Sequence, residues 1–358
     1  MKKLRVLIAE DSQTVRKRLV EILEADPEIE LVGEVDNGKD AIELCQVERP
    51  DIITMDMMMP VMSGLAATEF IMAHCPTPIL VVSASTNRGE LFKIYEALAA
   101  GAVDVLEKPT DSEPDETWAR RFLATLKIVS RIRVITHPRA RLTALARPAV
   151  PKVSPSKPVL RSGSACEIVA IGASTGGPGA LVDVLRGLPA EFTLPLLIVL
   201  HMNEPFAAAF ADWLDAQTEH AVIPARDGMR VADAAGRVAL APGDCHLIVR
   251  DGRMRLTRDA ERHSCRPSVD VLFESVATEY GPAAAACLLT GMGKDGALGL
   301  LKIRQAGGVT IAQDEQTSIV FGMPREAISL GAAQQVLPIG EIGARLAALQ
   351  GQTLEACV

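Results

Sequence analysis

Residues 5–25 read RVLIAEDSQTVRKRLVEILEA: a short apolar run, an acidic pair, then a segment with Val15, Leu19 and Ile22 at helical spacing. A run that is apolar throughout, without polar alternation, suits a strand covered on both faces. The same unit recurs along the next hundred residues. ELVGEV at 30–35, DIITM at 51–55, PILVVS at 78–83 and VDVLE at 103–107 read as further strands. KDAIELCQVE, LAATEFIMAH, ELFKIYEALAA and DETWARRFLATLKIV read as the intervening helices. Five βα units in this length specify a doubly wound, flavodoxin-like (βα)5 domain over residues 1–125.

The chain then changes character. Between Thr117 and Cys166 there is no Asp or Glu but eleven Lys or Arg, and the later part is rich in Pro and Ser. Such a segment has little to bury, so 126–163 is expected to be a solvated connector that could also touch an acidic surface. A second α/β pattern begins at EIVAIGAS and continues through LPLLIVL, AAAACLLTG and VTIAQD, with helical stretches between. It specifies a larger Rossmann-like parallel domain over 164–350. HLIVR and RMRLT flank Asp251–Gly252, which signals an antiparallel hairpin inserted in it.

Bulk composition narrows the function. The 358 residues suffice for two domains, and 48% hydrophobic residues can fill two cores. A formal charge of −8 with only 3% aromatics argues against nucleic-acid binding. Seven scattered cysteines without a C-x-x-C pair suit reduced thiols, hence a cytoplasmic location. No stretch approaches the roughly 18 apolar residues that span a bilayer, so no membrane insertion is expected.

The first domain carries an acid cluster. Glu10 and Asp11 follow the first strand and Asp56 follows the third, while Ser83 ends the fourth and Lys108 follows the fifth. The carboxyl ends of strands in such a sheet meet on one edge, where ligands bind. Three carboxylates there call for a cation, and hard oxygen ligands suit Mg2+. A carboxylate with a metal and an ammonium beside it can accept a phosphoryl group. Singly, any of the acids could be a helix cap. ED at 10–11, MDMMMP at 55–60, Ser83 and EKP at 107–109 resemble the receiver domain of two-component response regulators. That resemblance implies phosphorylation of Asp56 by a partner histidine kinase, with Mg2+ held by Glu10, Asp11 and Asp56, and Ser83 and Lys108 as switch residues. Val105 stands where receivers usually carry an aromatic residue, and Ser63 where they usually carry aspartate.

In the second domain EIVAIGASTGGPGALVDVL, at 167–185, runs from strand through glycine-rich turn to helix. Gly172 to Gly176 fits G-x-S-x-G, which exposes a serine, Ser174, above a sheet and near a helix N-terminus. The turn alone could equally be a helix cap or a dinucleotide cradle. His201 follows the next strand and Asp295 lies in the turn GMGKDGA, near the N-terminus of the helix after it, which would keep the acid ionised, so a base and an orienting acid reach the same edge. The order Ser, His, Asp differs from that of α/β-hydrolases.

IGASTGGP, LHM at 200–202, APGDCHL, RPSVDVLFESVA and LLTGMGKDGA resemble the catalytic domain of chemotaxis protein-glutamate methylesterases, the CheB type. The resemblance implies Ser174 as nucleophile, His201 as general base, Asp295 as its orienting acid and the Met292 amide at the oxyanion. The Thr175 amide is a further candidate donor, as the residue after a nucleophile. The implied substrate is a glutamyl methyl ester on the cytoplasmic domain of a chemoreceptor, with methanol released and no cofactor in this domain. Some relatives also deamidate receptor glutamines. The expected whole is a phosphorylation-activated serine esterase. The alternatives are a receiver-controlled adaptor with a degenerate hydrolase fold, and an NAD(P)-binding oxidoreductase.

Overall fold

The computed structural model describes residues 2–84, 88–108, 115–132, 134, 165–202 and 206–350. The chain divides into two compact units, Met1–Val150 and Pro151–Val358. Residues 133 and 135–163 of the expected connector lie outside the described residues.

The first unit alternates β1 (Leu4–Ala9), α1 (Gln13–Glu24), β2 (Ile29–Val35), α2 (Gly38–Glu48), β3 (Ile52–Met55), α3 (Gly64–His74), β4 (Ile79–Ser83), α4 (Arg88–Ala99), β5 (Asp104–Glu107) and α5 (Asp115–Val129). The strands pair in parallel in the order β2-β1-β3-β4-β5, as a doubly wound reading requires. Val6, Ile8, Leu80 and Val82 point from the sheet into a core closed by Leu19, Leu23, Phe122 and Leu126. The last helix runs on to a buried Val129, so packed structure extends past residue 125. Ser63, at the departure from the receiver pattern, N-caps α3 by accepting the Ala66 amide at 3.3 Å. A serine does this as well as an aspartate would.

The second unit is built on seven parallel strands in the order β14-β13-β12-β6-β7-β9-β8. Its centre is β6 (Ile168–Ala173), flanked by β7 (Leu196–Leu200) and β12 (Ala284–Leu288). Outside them lie β13 (Val309–Gln313) and three strands that the sequence reading missed: β8 (Val222–Pro224), β9 (Val238–Leu240) and β14 (Gln335–Leu337). Each of these spans three residues, too short to show any periodicity. The hairpin is present as β10 (His246–Arg250) and β11 (Arg253–Thr257), a separate antiparallel pair. Asp251 and Gly252 turn it with φ of 52° and 64°, the left-handed pair that a type I′ turn needs. Around the sheet pack α6 (Gly177–Arg186), α7 (Phe206–Asp215), α8 (Val269–Tyr280), α9 (Ala297–Gln305), α10 (Met323–Ser329) and α11 (Ile339–Ala347). Among the described residues no helix is long and apolar enough to cross a membrane.

The two glycines of the serine turn act differently. Gly176 takes φ of +79° and makes the turn itself. Gly172 remains within β6 and gives space instead: a Cβ there would meet Val269 Cγ1 at 2.2 Å. Gly296, with φ of +86°, leaves room for the same atom at 2.6 Å. The two glycines thus form a slot that seats the first residue of α8 against the central strand. Gly172→Ala is expected to destabilise the second unit by about 1–3 kcal/mol through overpacking. A lower urea midpoint at unchanged slope checks this, and an unchanged midpoint contradicts it.

Candidate active site and phosphoacceptor edge

In both sheets the first strand has neighbours that continue in opposite directions, and ligands collect at such a switch point. In the first unit this point lies between β1 and β3, and Glu10 and Asp56 emerge there. Lys108 reaches in from the end of β5, its Nζ 2.9 Å from Glu10 and 3.2 Å from Asp56. Its backbone N–H also donates to the carbonyl of Ser83 at 3.0 Å. The structure therefore brings Glu10, Asp11, Asp56, Ser83 and Lys108 to one edge, as the sequence reading expects.

One ammonium does not balance this cluster. Burial pushes the Glu10 carboxyl up to about 7, against the pull of Lys108 and with a further push from Asp56. Burial raises Asp56 as well, only partly offset by Lys108. One oxygen from each of Glu10, Asp11 and Asp56 lies within 4.8 Å of the others. The set fits a divalent cation with hard-ligand preference, which would relieve the repulsion.

In the second unit β6 is the switch strand, with β7 on one side and β12 on the other. Ser174 follows β6, His201 follows β7, and Asp295 lies in the turn between β12 and α9. The serine turn is tied down from β12: the Ser174 N–H donates to the Thr290 carbonyl at 3.0 Å, and Thr290 Oγ1 donates to the Thr175 carbonyl at 2.9 Å. Thr290 is itself held by Gln313, whose Oε1 accepts its amide at 2.7 Å. The His201 N–H donates to the Ala173 carbonyl at 3.1 Å, which fixes the histidine beside the serine turn.

Asp295 is 2% exposed and accepts four hydrogen bonds. His201 Nε2 approaches Oδ2 at 2.7 Å, and the Val269 amide donates to the same oxygen at 2.6 Å. Ser268 Oγ donates to Oδ1 at 2.8 Å and the Asp270 amide at 3.1 Å. The sequence suggests that the helix following Asp295 keeps this acid ionised. The structure corrects this: α9 is capped by Gly296, and Asp295 sits on the N-terminus of α8. Free amides and the helix dipole of α8 hold the anion there. Burial would raise the acid, but His201, Ser268 and Val269 outweigh it and hold it below the usual carboxylate range. For His201 burial pulls the imidazole down, while Asp295 and the nearby Cys265 raise it to about 9.

The Ser174 hydroxyl makes no hydrogen bond among the described residues, so the expected serine–imidazole contact is not formed in this state. Catalytic contacts of this kind often tighten only when substrate binds. The amides of Thr175 and Met292 are likewise unengaged among the described residues, and Met292 is 36% exposed. Sequence reading missed Ser268, Asp270, Thr290 and Gln313. Ser268 ahead of an apolar run is an N-cap signal, but nothing local says that its helix would face Asp295.

Fold and site together give a receiver-type α/β unit with an acidic strand edge and a second parallel α/β unit whose switch-strand edge carries a serine, a histidine and a buried aspartate. The chain matches the family model "Response regulator receiver domain" over residues 6–115 and "CheB methylesterase" over residues 169–346. A relative from Nitrosospira multiformis, named protein-glutamate methylesterase/protein-glutamine glutaminase, is 42% identical over 345 residues, 95% of each chain. One from Pseudomonas aeruginosa with the same activities in its name is 45% identical over 347 residues, again 95% of each. The crystal structure of the Thermotoga maritima CheB methylesterase catalytic domain is 39% identical, covering 51% of this chain and 98% of that one with a TM-score of 0.49. The chain belongs to the CheB methylesterase family, in the form that carries an N-terminal receiver.

The His201–Asp295 pair gives a direct spectroscopic expectation. The imidazole should titrate near pH 9, well above its ordinary 6.5. Because the folded value is the higher one, the pair stabilises the fold fully below pH 6.5 and loses that contribution as pH rises through about 9. In Asp295→Asn burial is left with less opposition, so the NMR titration midpoint should fall to about 6.5 or lower. A midpoint that stays near 9 in the variant contradicts the assignment.

Proposed function

We propose that the second unit hydrolyses glutamyl methyl esters on chemoreceptors, with Ser174 as nucleophile, and that phosphorylation of Asp56 controls the rate. The observation that carries the reading is the 2.7 Å His201–Asp295 contact at the switch strand that presents Ser174. Asp295 engages one ring nitrogen, so Nδ1 is the one available to take the serine proton. Ser174 Oγ attacks the ester carbonyl, and the imidazolium that forms is stabilised by the buried carboxylate. The amides of Thr175 and Met292 are the candidate donors to the tetrahedral oxyanion. His201 then returns its proton to the departing methoxide, giving methanol, and activates a water that releases the glutamate. A glutamine side chain would follow the same path with ammonia leaving. None of these steps needs a cofactor.

In the receiver unit Asp56 is proposed to take a phosphoryl group from a histidine kinase. Mg2+ held by Glu10, Asp11 and Asp56 would supply charge against the phosphoryl oxygens. Lys108 lies where its ammonium adds to that neutralisation, and Ser83 sits on the same edge as a switch residue. The added charge then shifts the protein between an inhibited and an active population. A degenerate adaptor has no need to hold a buried carboxylate against an imidazole, and this arrangement favours the enzyme.

On methylated receptor membranes, Ser174→Ala should lower methanol release by about 10⁴-fold or more. Comparable release from the variant would refute the nucleophile. With His201 required neutral, kcat/KM should rise about tenfold per pH unit and level off above pH 9. A profile already flat from pH 7 would contradict that role. Asp56→Asn should abolish the difference between rates measured with and without phosphodonor and Mg2+; a surviving difference would exclude Asp56 as the acceptor.

A further inference from the structure

His201 has a second neighbour that the proposed mechanism does not use. Cys265 Sγ lies 3.7 Å from Nδ1, on the nitrogen that Asp295 leaves open. A tight turn presents it. The Cys265 N–H donates to the Arg262 carbonyl at 2.9 Å and the Arg262 N–H to the Cys265 carbonyl at 3.2 Å. The two residues between, His263 and Ser264, have φ of 53° and 58°. Left-handed backbone at two consecutive non-glycine residues is unfavourable unless the surroundings enforce it. Here they do: Arg262 is paired with Glu274 on α8 at 2.6 and 2.9 Å, and His263 Nε2 approaches Asp270 at 3.1 Å. The turn is thus braced on the helix whose N-terminus holds Asp295.

The other cysteines among the described residues differ in setting. Cys45, Cys166 and Cys287 are buried, and burial pushes the Cys166 thiol up to about 11. Cys75 is half-buried against Cys45, and burial pushes its thiol up to about 12. Cys245 is half-buried like Cys265 but has no imidazole partner among the described contacts. Buried thiols without a base are inert, whereas a reachable thiol beside an imidazole is the usual reactive arrangement.

We infer that Cys265 is a modification site, a thiol activated by His201 Nδ1 that hydroperoxides oxidise to a sulfenic acid, silencing the esterase. The inference rests on the reading of His201 as the base that serves Ser174. The imidazole takes the thiol proton, and the sulfur attacks one peroxide oxygen. The S–O bond forms as the O–O bond breaks, and the imidazolium returns the proton to the leaving hydroxide to give water. Sulfur loses two electrons and hydrogen peroxide gains them. The resulting S–OH hydrogen-bonds to Nδ1 and occupies the space in which that nitrogen must meet Ser174. A thiol reductant reverses the change.

The test treats the full-length protein with hydrogen peroxide, traps sulfenic acids with a dimedone probe and quantifies each cysteine peptide by mass spectrometry. Cys265 should be trapped at least about tenfold faster than Cys245, and His201→Gln should remove most of that advantage. Esterase activity should fall in step with Cys265 trapping and return with dithiothreitol. Turnover retained by Cys265→Ala should no longer respond to peroxide. Equal trapping of Cys265 and Cys245, or a rate indifferent to His201→Gln, overturns the activation. Activity loss that follows another cysteine, or that persists in Cys265→Ala, overturns the silencing. The trapping rates need no turnover, so a protein without esterase activity would refute the functional reading while leaving the thiol chemistry measurable.

Discussion

A carboxylate removed from water must recover its lost solvation from fixed donors, and Asp295 does so with two backbone amides, a serine hydroxyl and an imidazole. Three of those donors come from Ser268, Val269 and Asp270, the start of α8. The site in the second unit therefore depends on seating one helix end against the central strand. Gly172 and Gly296 are glycines because Val269 must fit between them. Asp270 extends the link by accepting the Gly299 amide at 2.6 Å, which ties α8 to α9. These contacts together fix the position of the acid, and through the 2.7 Å contact that of the His201 imidazole.

The two edges solve opposite electrostatic problems with similar topology. At the first, three carboxylates face a single lysine, and burial and repulsion between neighbouring acids push Glu10 and Asp56 upward. That surplus of negative charge suits a cation and a phosphoryl group that come and go. At the second, donors outnumber the charge, and Asp295 stays ionised even when buried. That balance suits a fixed acid whose task is to orient an imidazole. A parallel sheet provides the same stage in each case, because strands flanking a switch strand leave their carboxyl ends side by side.

Much of this was legible in the sequence where the signal is local. The five strands of the first unit are four to seven residues long, each built around a short apolar run, and the acids, hydroxyl and lysine lie at or just after strand ends. The hairpin showed itself through Asp251–Gly252. What stayed hidden is tertiary. Strands β8, β9 and β14 exist because the sheet beside them offers partners, not because three residues carry a pattern. Asp295 looked like an acid near its own following helix, yet its partners lie on a helix that begins 26 residues earlier. Gly172 looked like part of a turn, and only the packing of Val269 reveals its role. Cys265 looked like one scattered thiol among seven.

The central claim is that His201, oriented by Asp295, activates Ser174. A fluorophosphonate probe, which bonds only to an activated serine, tests it most directly on full-length protein given phosphodonor and Mg2+. The expected result is a single adduct on the peptide containing Ser174, absent in His201→Gln and strongly slowed in Asp295→Asn. An adduct on another serine, or labelling of Ser174 at the same rate in all three proteins, would contradict the account.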